Sequence, residues 1–229
     1  MTASLVIAID GPSGAGKSTV SKELARRLGL AYFDTGAMYR AAAVWLERHG
    51  ALDQPEAMPA LIDGMPLELN LDPDAQRFVL GGDDITALIR TTEVSTYVSK
   101  VSTCLGARDV LVAWQQRVVA RERTAAGWSE GRGVVAEGRD ITTVVAPDAE
   151  VRVLLTASEA ARLARRALEV HGKADAAAIA ATTDQVVRRD RDDSTVARFM
   201  DAPPGVTVVD SSNLTIEQTV RAILDLIPG

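Results

Sequence analysis

Apolar residues fall into two rhythms along this chain, and their alternation organises it. Leu5-Val6-Ile7-Ala8-Ile9, Leu30-Ala31-Tyr32-Phe33, Val134-Val135-Ala136, Val151-Arg152-Val153-Leu154-Leu155 and Val206-Thr207-Val208-Val209 are short runs rich in β-branched residues. Such runs predict buried strands of a parallel sheet. Between them the spacing changes to three and four. Val20, Leu24 and Leu28 mark one amphipathic helix, and a second is expected from about Ala37 to Arg48, stopping at His49-Gly50. Val94, Val98, Val101 and Leu105 share one helical face, and Val110, Leu111, Trp114 and Val118 share that of the following helix. Later helices are expected after Thr156-Ala157-Ser158-Glu159, through the alanine-rich residues 174–181, and from Thr215 to Leu226. Strands alternating with helices predict a parallel α/β sheet covered on both faces.

One stretch breaks this order. Leu67-Glu68-Leu69-Asn70-Leu71 alternates apolar with polar, and Arg77-Phe78-Val79-Leu80 and Gly81-Gly82-Asp83-Asp84-Ile85 follow after turn residues. That pattern predicts a small antiparallel meander inserted into the main sheet.

Composition adds bounds rather than a fold. The chain has 229 residues, 47% hydrophobic and 24% charged, as in an ordinary globular protein. A net charge of −6 speaks against a general nucleic-acid or membrane-surface binder, since both need basic surface. Cys104 is the single cysteine, so no internal disulfide or multi-thiolate metal site can form, and it reads as a small buried hydrophobe. No apolar run approaches the roughly 20 residues of a membrane span. A basic leader with a long apolar core is missing, which makes the cytoplasm the expected location. His49 and His171 each sit beside a glycine and read as exposed helix-end residues.

The chemistry begins at Gly11-Pro12-Ser13-Gly14-Ala15-Gly16-Lys17-Ser18-Thr19, a G-x-x-x-x-G-K-S string between the first strand and the first helix. Its glycines allow a tight turn close to a ligand, and the helix N-terminus offers free N–H groups to phosphate. In such a phosphate loop Lys17 meets the β/γ-phosphates and the Ser18 hydroxyl can hold Mg²⁺. Nucleoside triphosphate binding is therefore expected. Two further clusters follow predicted strand ends, Asp34-Thr35-Gly36 and Glu137-Gly138-Arg139-Asp140. Ligands of open parallel sheets bind beyond those ends. Each cluster alone also reads structurally, Asp34 as a helix cap and Arg139–Asp140 as an ion pair. Arginines outnumber lysines 21 to four and crowd residues 162–198, suggesting a second polyanion site or simply a solvated helix face.

Taken in order, Gly11–Thr19, Asp34-Thr35-Gly36-Ala37-Met38-Tyr39-Arg40, Ile89-Arg90-Thr91-Thr92-Glu93-Val94, Glu137-Gly138-Arg139-Asp140 and Arg189-Asp190-Arg191-Asp192-Asp193-Ser194 resemble bacterial cytidylate kinases. The resemblance runs from the first strand to the last helix. It implies a phosphate-loop parallel sheet with helices on both faces, a small antiparallel insertion and a helical lid. The core would span about 1–35, 109–155 and 200–229, the monophosphate-binding insertion about 36–108, and the lid about 156–199. It implies phosphoryl transfer from Mg-ATP to CMP or dCMP by a monomer.

The residue roles come from the same resemblance. Gly11, Pro12, Ser13, Gly14, Ala15, Gly16, Lys17, Ser18, Thr19 and Arg162 would bind ATP, and Ser18 the metal. Thr35, Arg40, Ser99, Arg108, Arg139, Asp140, Arg189 and Asp193 would hold the acceptor. Lys17, Arg139, Arg162 and Arg189 would be catalytic. Ser99, Arg108 and Asp140 would read the cytosine edge, with the carboxylate accepting from its amine and the guanidinium serving its ring nitrogen. Arg40, Arg139 and Arg189 would hold the α-phosphate and Asp193 the sugar. The chain departs from the family pattern at Thr142, where glycine is usual, at Ala146 in place of an aromatic, and at Val196 in place of an arginine that Arg198 could replace. Two other readings stay open: a phosphate-loop kinase of another small molecule, and a GTPase-type switch. The latter calls for an N-K-x-D string, which this sequence lacks.

Overall fold

A computed structural model describes residues 4–197 and 199–228, without the side chains of residues 169, 184–186, 188 and 189. The first rhythm becomes a five-stranded parallel sheet. Its strands are β1 (Leu5–Asp10), β2 (Ala31–Asp34), β6 (Gly133–Gly138), β7 (Val151–Thr156) and β8 (Thr207–Asp210), ordered β2-β6-β1-β7-β8. β1 is central and pairs in register with β6, Asp10 facing Gly138, and with β7, Asp10 facing Leu154. Chain therefore returns to either side of β1, and a crevice opens at its carboxyl end.

The strands' alternation divides the interior in two. Val6 and Ala8 point to one face with Ala31, Phe33, Val134 and Ala136. There they meet α2 (Thr35–Arg48), α4 (Thr92–Ser102) and α5 (Leu105–Glu122). Ile7 and Ile9 point to the other face with Tyr32 and Val135, against α1 (Lys17–Leu28) and α8 (Ile216–Leu224). Successive side chains of one strand thus enter different cores, so strands buried on both faces read as unbroken apolar runs.

The expected insertion follows α2: a short helix α3 (Met58–Asp63), then β3 (Leu67–Asn70), β4 (Arg77–Leu80) and β5 (Asp83–Asp84) as an antiparallel sheet. The Tyr32 N–H donates to the Leu71 carbonyl at 2.8 Å, tying the meander to β2. Leu105 corrects one expectation. It is 67% exposed, because the helix ends at Ser102 and α5 restarts the helical phase at Leu105. Cys104, expected to be buried, is partly exposed in that break. His49 and His171 lie exposed at the ends of α2 and α6 (Glu159–His171), as expected. α6 and α7 (Ala176–Ser194) pack as an antiparallel pair, and α7 also touches α4. Among the described residues no helix is long and apolar enough to cross a membrane.

Candidate active site

The loop after β1 takes the form its glycines predict. Gly14 has φ +76°, and a Cβ there would fall 2.5 Å from the Arg162 carbonyl oxygen. Gly16 caps α1 at φ 94°, in the left-handed region, with no side-chain cap. The first N–H groups of α1 thus remain directed toward the loop interior. The Lys17 ammonium donates to the Gly11 and Pro12 carbonyls at 2.8 and 3.1 Å.

A cleft of about 600 Å³ opens over this loop. Ser13 through Thr19 form its floor. Asp34, Arg40, Glu137, Arg139, Arg165, Arg166 and Thr215 also line it. Helix α6 and the loop are hydrogen-bonded. Arg165 donates to the Ala15 carbonyl at 3.3 Å and to Ser211 Oγ at 2.9 Å. Arg162 donates to the Ser13 carbonyl at 2.9 Å and to Asp190. Of the arginine run, these two are therefore turned inward; Arg162 is 7% exposed.

A narrower pocket of about 40 Å³ adjoins the cleft and shares Gly36, Gly138 and Arg139 with it. Its other walls include Thr35, Tyr39, Ser102, Arg108, Asp140 and Asp193. Arg108, partly buried, and Asp140, buried, form an ion pair across it. Burial pushes the Asp140 carboxyl up from the usual carboxylate range, with Arg108 pulling the other way. Asp193 accepts from Ser102 Oγ at 3.0 Å and from Arg139 Nε at 3.1 Å. Thr35 donates its hydroxyl to the Glu137 carbonyl at 2.8 Å, fixing the start of α2 against the end of β6. Asp34 is indeed the helix cap, accepting from the Ala37 N–H at 2.9 Å, yet it also lines the cleft and pairs with Arg90 at 3.6 Å.

The structure thus gathers Thr35, Arg40, Arg108, Arg139, Asp140 and Asp193 from four separate segments around two joined cavities. Arg40 lies in the larger one, donating to Ser95 Oγ at 2.7 Å. Ser99 is not in the wall of the narrow pocket; Ser102, three residues on in α4, is. The side chain of Arg189 and all of Arg198 lie outside the described residues.

Several participants received no role from the sequence. Asp10, buried at the end of β1, accepts from the Ile141 and Thr142 N–H groups, each at 2.8 Å, and from the Thr142 hydroxyl at 2.6 Å. It holds the π-helical turn Ile141–Val145 and hence the Arg139–Asp140 corner. The threonine that departs from the family pattern therefore completes this anchor. Burial raises the Asp10 carboxyl, against those hydrogen bonds. Glu137 is buried at the end of β6 and accepts from Tyr32 Oη at 2.8 Å. Its carboxyl is raised chiefly by burial, then by Asp34, against Lys17 and the Ser18 and Tyr32 hydroxyls. Tyr39 buries a hydroxyl with no protein partner at the narrow pocket. A polar residue within an apolar strand run was the available signal for Asp10 and Glu137.

Comparison with known proteins agrees with this geometry. The family model described as cytidylate kinase matches residues 7–229. A protein named cytidylate kinase from Cutibacterium acnes is 48% identical over 99% of this chain and 97% of its own length. Another from Rhodococcus opacus is 42% identical over 97% of this chain and 94% of its own. A bifunctional pantoate ligase/cytidylate kinase from Synechococcus is 42% identical over 99% of this chain, which spans 45% of that longer protein. Phosphate loop, paired cavities and full-length similarity together establish that the chain is a kinase of the cytidylate kinase family.

Proposed function

We propose that this protein transfers the terminal phosphoryl group of ATP to CMP and dCMP by direct in-line displacement. The observation that carries the substrate assignment is the Arg108–Asp140 ion pair in the wall of the narrow pocket that adjoins the phosphate-loop cleft. A guanidinium beside a carboxylate offers a donor and an acceptor side by side, matching the ring nitrogen and amine of cytosine. Uracil would set a carbonyl against the carboxylate and leave a charge unpaired.

The attacking group is a phosphate oxygen of the monophosphate, already anionic, so no strong base is required. A bond forms from that oxygen to the terminal phosphorus as the bond to the ADP oxygen breaks. The work left to the protein is alignment and neutralisation of charge. Lys17, the loop N–H groups and Arg162 would serve the donor phosphates. Arg40, Arg139 and Arg189 would serve the acceptor phosphate and Asp193 the sugar. Ser99 shares its side of α4 with Ser102 through i,i+3 spacing, toward the base. The lid, residues 156–199, would close to exclude water.

Mg²⁺ fits the residues present. The Ser18 hydroxyl and the Asp34 and Glu137 carboxylates are hard oxygen donors near the loop. Among the described residues no group of three His, Cys, Asp or Glu could enclose a metal. That suits an ion held largely by water and substrate phosphates. When bound it supplies charge neutralisation to those phosphates. A coupled assay with CMP, dCMP, UMP and AMP tests the assignment: cytidine nucleotides should turn over fastest, and faster turnover of AMP or UMP would refute it.

A further inference from the structure

Asp190 stands outside every role assigned so far, yet its carboxylate bonds to the phosphate loop and to two arginines at once. It lies on α7 and is 7% exposed. Oδ1 accepts from the backbone N–H of Ser13 at 3.0 Å and from Arg139 Nη2 at 2.9 Å. Oδ2 accepts from Arg162 Nη1, which also donates to the Ser13 carbonyl. One carboxylate thus joins the phosphate loop, the strand end bearing Arg139, and both lid helices.

The two guanidinium groups are held on their other sides as well. Arg139 Nη1 donates to the Gly11 carbonyl at 2.6 Å, and the buried Phe199 ring lies 4.4 Å from its guanidinium carbon. Bringing the buried Arg162 and the partly buried Arg139 onto one site is costly, and the shared carboxylate offsets that cost while fixing their planes by directional hydrogen bonds. Both cations thereby come to rest against carbonyls of the loop that takes the phosphates. A purely structural ion pair would have no reason to include a loop N–H and two separate loop-facing arginines.

We propose that Asp190 is a positioning residue for phosphoryl transfer. It aligns Arg139 and Arg162 with each other and pins the lid to the phosphate loop. The proposal rests on the kinase reading above, because both arginines are assigned to the reacting phosphates there.

Three variants test it: Asp190→Ala, Asp190→Asn and Asp190→Glu. Each is assayed for kcat and for KM toward ATP and CMP, and digested with trypsin, which cuts at the lid arginines. Asp190→Ala should lower kcat on the order of 10- to 100-fold with KM changed only a few-fold, the size of effect typical of second-layer orienting groups. Asp190→Asn should be intermediate, since it keeps one acceptor but loses the charge. Asp190→Glu should recover part of the loss. Cleavage within residues 159–197 should be several-fold faster in Asp190→Ala than in the wild type. If Asp190→Ala does not fold, the Asn variant decides by the same criteria. Wild-type kcat in a folded variant, or a rise in KM alone, would overturn the proposal. If the wild type itself does not phosphorylate CMP, the kinase reading fails separately; equal trypsin cleavage of variant and wild type would then overturn the pinning of the lid.

Discussion

The two cavities that meet at Arg139 are built in opposite ways. The larger, about 600 Å³, rests on contiguous sequence: the loop from Gly11 to Thr19, shaped by main-chain geometry and the start of one helix. The smaller, about 40 Å³, is bounded by side chains of α2, α4, α5, the β6 corner and α7, held to each other by ion pairs. Backbone N–H groups are fixed by the fold and need no partner rearranged when phosphate arrives. The charged side chains of the small pocket already pair with one another, Arg108 with Asp140 and Asp193 with Arg139. On the proposed function, a base entering there would exchange those pairings for its own, so only a complementary base would leave nothing unpaired. On that reading the general phosphate site is supplied by backbone, and selectivity by side chains that compete with the substrate.

That contrast predicts different failures. Lys17→Ala, on the donor side, should reduce kcat on the order of 10³-fold for every monophosphate alike, without changing their ranking. The coupled assay across CMP, dCMP, UMP and AMP measures both quantities. A Lys17 variant that reordered the substrates would show that the cavities are not divided in this way.

Asp140→Ala, on the acceptor side, should do the reverse. We expect the preference for CMP over UMP, as a ratio of kcat/KM, to fall roughly tenfold to a few hundredfold. Turnover of UMP should be little impaired by comparison. The variant leaves Arg108 without its carboxylate, so a melting curve should accompany the kinetics to confirm that the fold persists.

The donor side was legible in the sequence because its chemistry lies within nine consecutive residues, and the strand and helix flanking them have clear periodicities. The parallel sheet and the meander were legible for the same reason. Asp140 was marked by its place just past a strand end, but Arg108 and Asp193 were placed only through family resemblance, since nothing local says that residues so far apart share a pocket. Asp10, Glu137 and Asp190 escaped assignment for a further reason. Their roles lie in hydrogen bonds to main-chain N–H groups and to other side chains across the fold, which composition and spacing do not encode. Leu105 failed because a helical stripe carries no mark of a two-residue break at Thr103–Cys104.

Thr142 tests how much the corner that joins the cavities depends on such hidden contacts. Its hydroxyl gives Asp10 a third donor in a fully buried setting. Thr142→Val keeps the shape and removes that donor, and should destabilise the protein by about 1–2 kcal/mol in urea unfolding. Because Asp10 anchors the turn after Asp140, base selectivity should loosen before Lys17-dependent turnover does. An unchanged denaturation midpoint would show that the two N–H donors alone suffice.

The smallest expected signal comes from Glu137, the buried carboxyl between Lys17, Ser18 and Asp34. Burial holds its folded-state pKa above the ordinary 4.5, so folding binds a proton that the unfolded chain gives up more readily. Below about pH 4.5 both states are protonated and the stability is fully present. As pH rises from there toward the folded-state pKa the unfolded chain ionises first, and stability is lost until Glu137 itself ionises. Glu137→Gln lacks this titration. The difference in melting temperature, wild type minus Gln variant, should therefore decline as pH is raised from 4 to 8, and then level off. A difference that instead grew with pH would mean that Lys17 and the Ser18 hydroxyl favour the ionised form strongly enough to outweigh burial. The donor side would then be held by charge pairing, like the acceptor pocket, rather than by the backbone alone.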